Sequence, residues 1–139
     1  MWITRLISVT IPPTPAERQS ALVDVLEQLS SLPPDRPAEI WVMLPEYPHL
    51  CALLDESGRG WLMLLRHDDD TGLHSVNPAY DGPPDARSPF RLSNGQLDLY
   101  LEAWCYPAAD VLAAVEHFAR TGDVPGWIQW EHAARIPNP

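Results

Sequence analysis

Two cysteines and five histidines are the side chains of this 139-residue sequence best suited to nucleophilic or metal chemistry. His49 and Cys51 stand two residues apart, and on a strand that spacing puts both side chains on one face. A thiol beside an imidazole is a workable nucleophile. Cys51 also opens an apolar run at 51–54, where it reads more simply as a small buried hydrophobe. Cys105 lies in Trp104-Cys105-Tyr106-Pro107, just before an expected helix, and a helix N-terminus can lower a thiol pKa. A thiol packed at a strand–helix junction is the plainer reading. The run His67-Asp68-Asp69-Asp70-Thr71-Gly72-Leu73-His74 has metal-ligand residue types. Counted from Asp68 it fails the calcium-loop pattern, because Gly72 falls where the third ligand belongs and no Glu follows at the twelfth position. Zinc held by His67, His74 and an Asp stays open beside the simpler reading of a solvated acidic loop. Gly58 and Gly60 make no dinucleotide fingerprint, and the sequence has no P-loop, GxSxG or HExxH. It calls for no catalytic residue, no metal and no cofactor.

The elements around these residues follow from periodicity and punctuation. Residues 2–11 read as a strand with Ile3, Ile7, Val9 and Ile11 on one face, shared with Arg5. Thr14-Pro15-Ala16-Glu17 has the form of a capping box with Pro at the first helical position. A helix over 15–31 follows, with Leu22, Val25, Leu26 and Leu29 as its apolar stripe, and Pro33 and Pro34 stop it. Apolar runs at 40–44, 50–54 and 61–65 are too short for helices. They read as central strands buried on both faces, the second and third joined through Ser57-Gly58-Arg59-Gly60. Residues 67–87 form a loop with a short strand at 73–76. Residues 90–101 form a hairpin, in which Asn94-Gly95 signals a type I′ turn. In that hairpin Leu97, Leu99 and Leu101 face one way, and Asp98, Tyr100 and Glu102 form the exposed face. Pro107 opens a second helix to about Thr121 with Val111, Leu112, Val115, Phe118 and Ala119 buried, and Gly122 ends it. A last strand spans 127–130, and the tail from Ile136 to Pro139 is expected to fray. The fold class is α+β: a mostly antiparallel sheet of six or seven strands with two helices, in a single domain over 1–139.

Composition bounds the function. The chain carries 19 acidic and 9 basic residues, every basic one an Arg, for a net charge of −10. Residues 67–139 hold −7 of it and residues 1–66 the other −3. An acidic surface repels nucleic acid and anionic membranes and attracts basic proteins. No apolar run is long enough for a membrane span, and Arg5 interrupts the first apolar stretch, which resembles no signal peptide. The expected compartment is the cytoplasm, with no nucleic-acid or membrane partner.

Three stretches of the C-terminal third belong together. They are Phe90-Arg91-Leu92-Ser93-Asn94-Gly95-Gln96, Glu102-Ala103-Trp104-Cys105-Tyr106-Pro107, and, after the helix, Thr121-Gly122-Asp123-Val124-Pro125-Gly126-Trp127-Ile128-Gln129-Trp130. With the helix between them they resemble the first-numbered immunity family of bacterial polymorphic toxin systems. That family is similar in a helix ending in a T-G-x-x-P turn, followed by a strand ending in Trp. The resemblance implies a cytosolic antitoxin without enzymatic activity. Its partner would be a cognate toxin domain, often a nucleic-acid deaminase and sometimes a nuclease. Gly122, Pro125 and Trp130 are then a helix stop, a rigid turn and a core anchor. A toxin acting on nucleic acid needs a basic cleft, which an acidic protein can occlude while gaining association rate. The acidic loop with its aromatic anchor, Asp68, Asp69, Asp70, Tyr80, Asp81 and Asp85, is the first candidate toxin-binding surface. The strand face Asp98, Tyr100 and Glu102 is the second. Trp61, Trp104 and Trp130 read as core. A generic acidic binding module and a small metal-dependent enzyme are the alternatives.

Overall fold

A mostly antiparallel sheet organises the computed structural model, which describes residues 4–33 and 35–132. Strands β1 (Arg5–Thr10) and β2 (Ala38–Met43) are separated by helix α1 (Pro15–Ser30). The crossover through α1 lets β1 lie parallel to β2, the one parallel pair among the described strands. Strands β3 (His49–Leu54), β4 (Arg59–Leu65) and β5 (Leu73–Val76) then follow by tight turns and pair antiparallel. Strands β6 (Arg87–Arg91) and β7 (Leu97–Leu101) form a separate two-stranded sheet. A single 3₁₀ turn (Glu102–Trp104) leads to the two-residue β8 (Tyr106–Pro107) against β4, then to α2 (Ala108–Thr121) and β9 (Gln129–His132) beside β5. The architecture is α+β, mostly antiparallel, with two helices, as the sequence implied. The expectations for Ile3 and for residues 136–139 fall outside the described residues.

Alternation along the central strands sorts the core into two layers. Leu50, Ala52 and Leu54 of β3 and Leu62 and Leu64 of β4 join Leu22, Val25 and Leu29 of α1 and Val111, Val115 and Phe118 of α2 in the larger cluster. Cys51, Leu53 and Trp61 point to the opposite face and pack with Phe90 of β6 and with Cys105. Helices therefore cover one face of the sheet and the β6–β7 hairpin covers part of the other. This is why β3 and β4 carry unbroken apolar runs. Gly60 is fixed by this packing: a Cβ there would lie 2.5 Å from the Leu53 carbonyl oxygen and 3.3 Å from Val111 Cγ2 of α2.

Four local expectations are corrected. Thr14 has the extended backbone of an N-cap, but its side chain makes no cap hydrogen bond, so the capping box does not close. Pro15, with its fixed φ, sets the start of α1 instead. Asn94 is not among the residues with positive φ, so the hairpin turn is not type I′. Leu92 accepts from the Gly95 amide at 3.0 Å and donates to Gln96 at 2.8 Å, and only Gly95 is left-handed (φ 90°). That is the three-residue loop in which a left-handed glycine follows the turn. The last strand begins two residues later than expected, leaving Trp127 exposed outside it. Finally, the exposed face of β7 is the leucine face: Leu97 and Leu99 are 54% and 57% exposed.

Candidate functional site

The acidic loop is divided by β5. Asp68 and Asp69 lie before the strand, and Tyr80, Asp81 and Asp85 after it. Asp68, Asp69, Asp81 and Asp85 are all exposed, and among the described residues none of their carboxylates is paired with a basic side chain. Asp69 sits at the tip of its turn with φ 58°, a conformation that Asp tolerates.

Asp70 is a different kind of residue. Its side chain is 3% exposed and accepts from Arg66 Nε at 2.8 Å and Arg66 Nη2 at 2.9 Å. The Arg66 amide donates to it at 2.8 Å and the Gly72 amide at 3.1 Å. The Arg66 guanidinium, then its amide, hold the Asp70 carboxyl well below the usual carboxylate range. Asp70 therefore builds the β4–β5 turn and is not a free docking charge. Arg66 stands just outside the 67–87 segment, which is why the sequence pattern missed the pair.

Structure brings two other candidates together. Glu102 accepts from Ser88 Oγ at 3.1 Å and lies 3.3 Å from Arg59 Nη1. The Tyr80 hydroxyl lies 2.8 Å from the Pro83 carbonyl and 3.3 Å from Glu102 Oε2. Arg59 and then Ser88 lower the Glu102 pKa, while burial and then Glu102 raise that of Tyr80. Arg59 Nη2 donates to the buried Ser88 at 2.7 Å, and Asp55 lies 3.8 Å from the same guanidinium. Asp55, itself buried, accepts from the Ser57 and Arg59 amides at 2.9 and 3.0 Å. This network joins the β3–β4 turn, the hairpin and the 3₁₀ turn. A groove of about 280 Å³ opens beside it between Pro37, Glu56, Arg59, Pro89, Arg91 and Leu97. Asp55, Arg59 and Ser88 were not singled out from the sequence. Only Asp55 left a signal, as the Asp two residues before a Ser-Gly turn.

The face expected to be exposed on β7 is turned inward. The Tyr100 ring lies 4.4 Å from that of Trp61 and 6.0 Å from that of Trp104. Its hydroxyl donates to Asp98 at 2.8 Å, and Gln96 Nε2 donates to Asp98 at 2.7 Å. Burial first, and the Asp98 carboxylate second, push the Tyr100 hydroxyl well above its ordinary range. Phe90 and Ser88 share this inner side, and the ladder pairs Phe90 with Asp98, so pleat parity forces Leu97 and Leu99 outward. Trp61 is buried as expected, and Trp104 and Trp130 are half-buried.

The thiols and imidazoles do not converge. Burial drives the Cys51 thiol pKa above the ordinary range, and burial pushes Cys105 up to about 12. Both shifts oppose thiolate formation. His49 stacks on Tyr47 at 4.3 Å. His74 is buried against Trp104 at 3.9 Å, while His67 is exposed and bonds the Asp68 carbonyl. Among the described residues, no group of three or more His, Cys, Asp or Glu side chains is arranged to hold a metal ion. Among them, too, no helix is long and apolar enough to cross a membrane.

What remains is a set of exposed carboxylates at both ends of β5, unpaired among the described residues, and an apolar hairpin face bordered by Arg87 and Arg91. No protein-family model matches this chain, and no curated protein sequence matches it.

Proposed function

We infer that this protein is an immunity protein that binds a basic, nucleic-acid-acting toxin domain, a deaminase or a nuclease, and blocks its active site in the cytoplasm. The observation that supports it best is the set of exposed carboxylates of Asp68, Asp69, Asp81 and Asp85, unpaired among the described residues, on a chain of net charge −10. The resemblance of residues 90–131 to the immunity family adds the kind of partner. Exposed carboxylates steer a basic protein into encounter and stand where substrate phosphates would be held. Rim charges set the rate, while affinity needs apolar or aromatic anchors; Tyr80 and the Leu97–Leu99 face are the nearest candidates.

The test is co-expression with the toxin domain encoded beside this gene, read as growth rescue and co-purification. Rescue with a stable complex is the expected result. The absence of both rescue and complex refutes the proposal for that pair. Reversing Asp68, Asp69, Asp81 and Asp85 to Lys should slow association and flatten its salt dependence while the melting temperature stays close to that of the parent. Association that is unchanged in rate and in salt dependence would move the interface elsewhere.

A further inference from the structure

Among the described residues, hairpin β6–β7 has one protected edge and one open edge. Leu92 pairs with Gln96 at one end of the ladder and the Glu102 amide donates to Ala86 at the other. In an antiparallel pair, hydrogen-bonded residues alternate with residues whose backbone groups point away from the partner strand. The even-numbered positions are therefore bonded across the hairpin. The N–H and C=O groups of Arg87, Pro89 and Arg91 point outward from β6, and those of Leu97, Leu99 and Leu101 point outward from β7.

The two edges differ. On β6 the middle position is Pro89, which has no N–H to offer, and the Arg91 carbonyl accepts from Thr4 Oγ1 at 2.7 Å. That edge is closed to another strand. On β7 the carbonyl of Leu101 meets only the Cys105 thiol, at 3.7 Å. Among the described residues, the outward N–H and C=O groups of Leu97 and Leu99 have no hydrogen-bond partner. Their side chains are also, with Leu6, the most exposed of the large apolar side chains among the described residues. A strand with unpaired backbone groups and an apolar outer face is the template for strand addition.

We propose that the outer edge of β7 is a strand-addition site for an extended basic segment of the partner protein, with apolar residues beside Leu97 and Leu99 and a Lys or Arg beside Asp98. The cationic register follows from charge. The chain carries −10, so a second copy of it is repelled, and Asp98 lies on the side the alternate residues of an added strand would face. The assignment of the segment to a toxin rests on the function proposed above; the open edge does not.

Residue-resolved amide exchange on the full chain tests both parts. In the free protein the amides of Leu97 and Leu99 should exchange fast, and those of Asp98 and Tyr100 slowly. A short blocked peptide alternating Lys and Val should slow Leu97 and Leu99 by about tenfold or more, leave Asp98 and Tyr100 unchanged, and outdo a Glu–Val peptide. Slow exchange at Leu97 and Leu99 in the free chain, no response to the basic peptide, or an equal response to both peptides overturns the site. Slowing that depends on the concentration of the chain alone would mean that a second copy occupies the edge, and overturns the choice of partner. With the neighbouring toxin domain, the same alternating protection is expected. A stable complex without it refutes this edge as the toxin's site and leaves the immunity function standing. No complex refutes that function and leaves the peptide result to decide the edge. Leu99→Pro removes the central outward donor opposite Pro89. If its melting temperature holds, peptide protection at Leu97 should be lost.

Discussion

Phe90→Ala would measure how firmly the hairpin layer is joined to the sheet. Phe90 is fully buried, its ring 5.9 Å from that of Tyr100, in the cluster that also holds Cys51, Leu53, Trp61 and Cys105. Truncation removes the ring from a site where the rigid β3 and β4 strands form one wall, so little collapse can fill the void. The expected loss is roughly 3–5 kcal/mol, transfer and cavity terms together. With a urea dependence of about 2 kcal/mol per M, the unfolding midpoint should fall by roughly 2 M. Trp61 and Trp104 sit in or against the same cluster, so emission should shift to the red in the folded variant. Phe118→Ala, an equally buried ring among the helices, should cost a similar amount. A midpoint drop below about 0.5 M for Phe90→Ala, or unchanged emission, would show that the hairpin lies on the sheet without being part of its core.

Gly60→Ala should destabilise by about 1–3 kcal/mol in urea titrations, because its Cβ meets the Leu53 carbonyl, which cannot retreat without loosening the β3–β4 ladder. A neutral outcome would mean that the Leu53 carbonyl can shift without cost to the β3–β4 ladder. Asp70 has a lowered pKa in the folded state, so its stabilisation is fully present above the unfolded value near about 4 and is lost as pH falls through the folded one. Melting temperature measured from neutral pH into acid should therefore fall less steeply below about pH 4 in Asp70→Asn than in the parent; parallel curves would refute the link. Cys51 and Cys105, both buried with raised pKa values, should react with iodoacetamide only on unfolding. Native labelling of either thiol within minutes would contradict its burial.

The central strands were legible because Ile40–Leu44, Leu50–Leu54 and Trp61–Leu65 hold no polar position, but burial on both faces holds for β3 and β4 and not for β2, where buried and half-buried residues alternate. Both helices were legible from their stripes and stops, and Gly122 takes the left-handed φ of 75° that its place after Thr121 implied. Side-chain partnerships were less so. The Arg66–Asp70 pair and the Arg59–Ser88–Glu102 network depend on turns and on contacts across elements, which composition does not encode. The face of β7 was misread because three leucines at period two look like a core face. Phe90 held the better clue: once it must be buried, its ladder partner Asp98 and the neighbouring Tyr100 turn inward with it. The β4–β8 pairing spans two residues and left no periodic signal.

The first five strands of the sheet lie side by side in the order in which they occur along the chain, and among the described strands only β8 and β9 join it from a distant part of the sequence. A ribosome making this protein thus delivers each strand next to the one just placed, and pairing can advance with synthesis. Helix α2 is the exception, since it covers Leu54 and Leu62 only after residues 108–121 have emerged. Until then the part of the helix-side core that packs on α2 faces water. The growing chain passes through a stage when a holding chaperone or a premature contact with another nascent chain would find its largest apolar target.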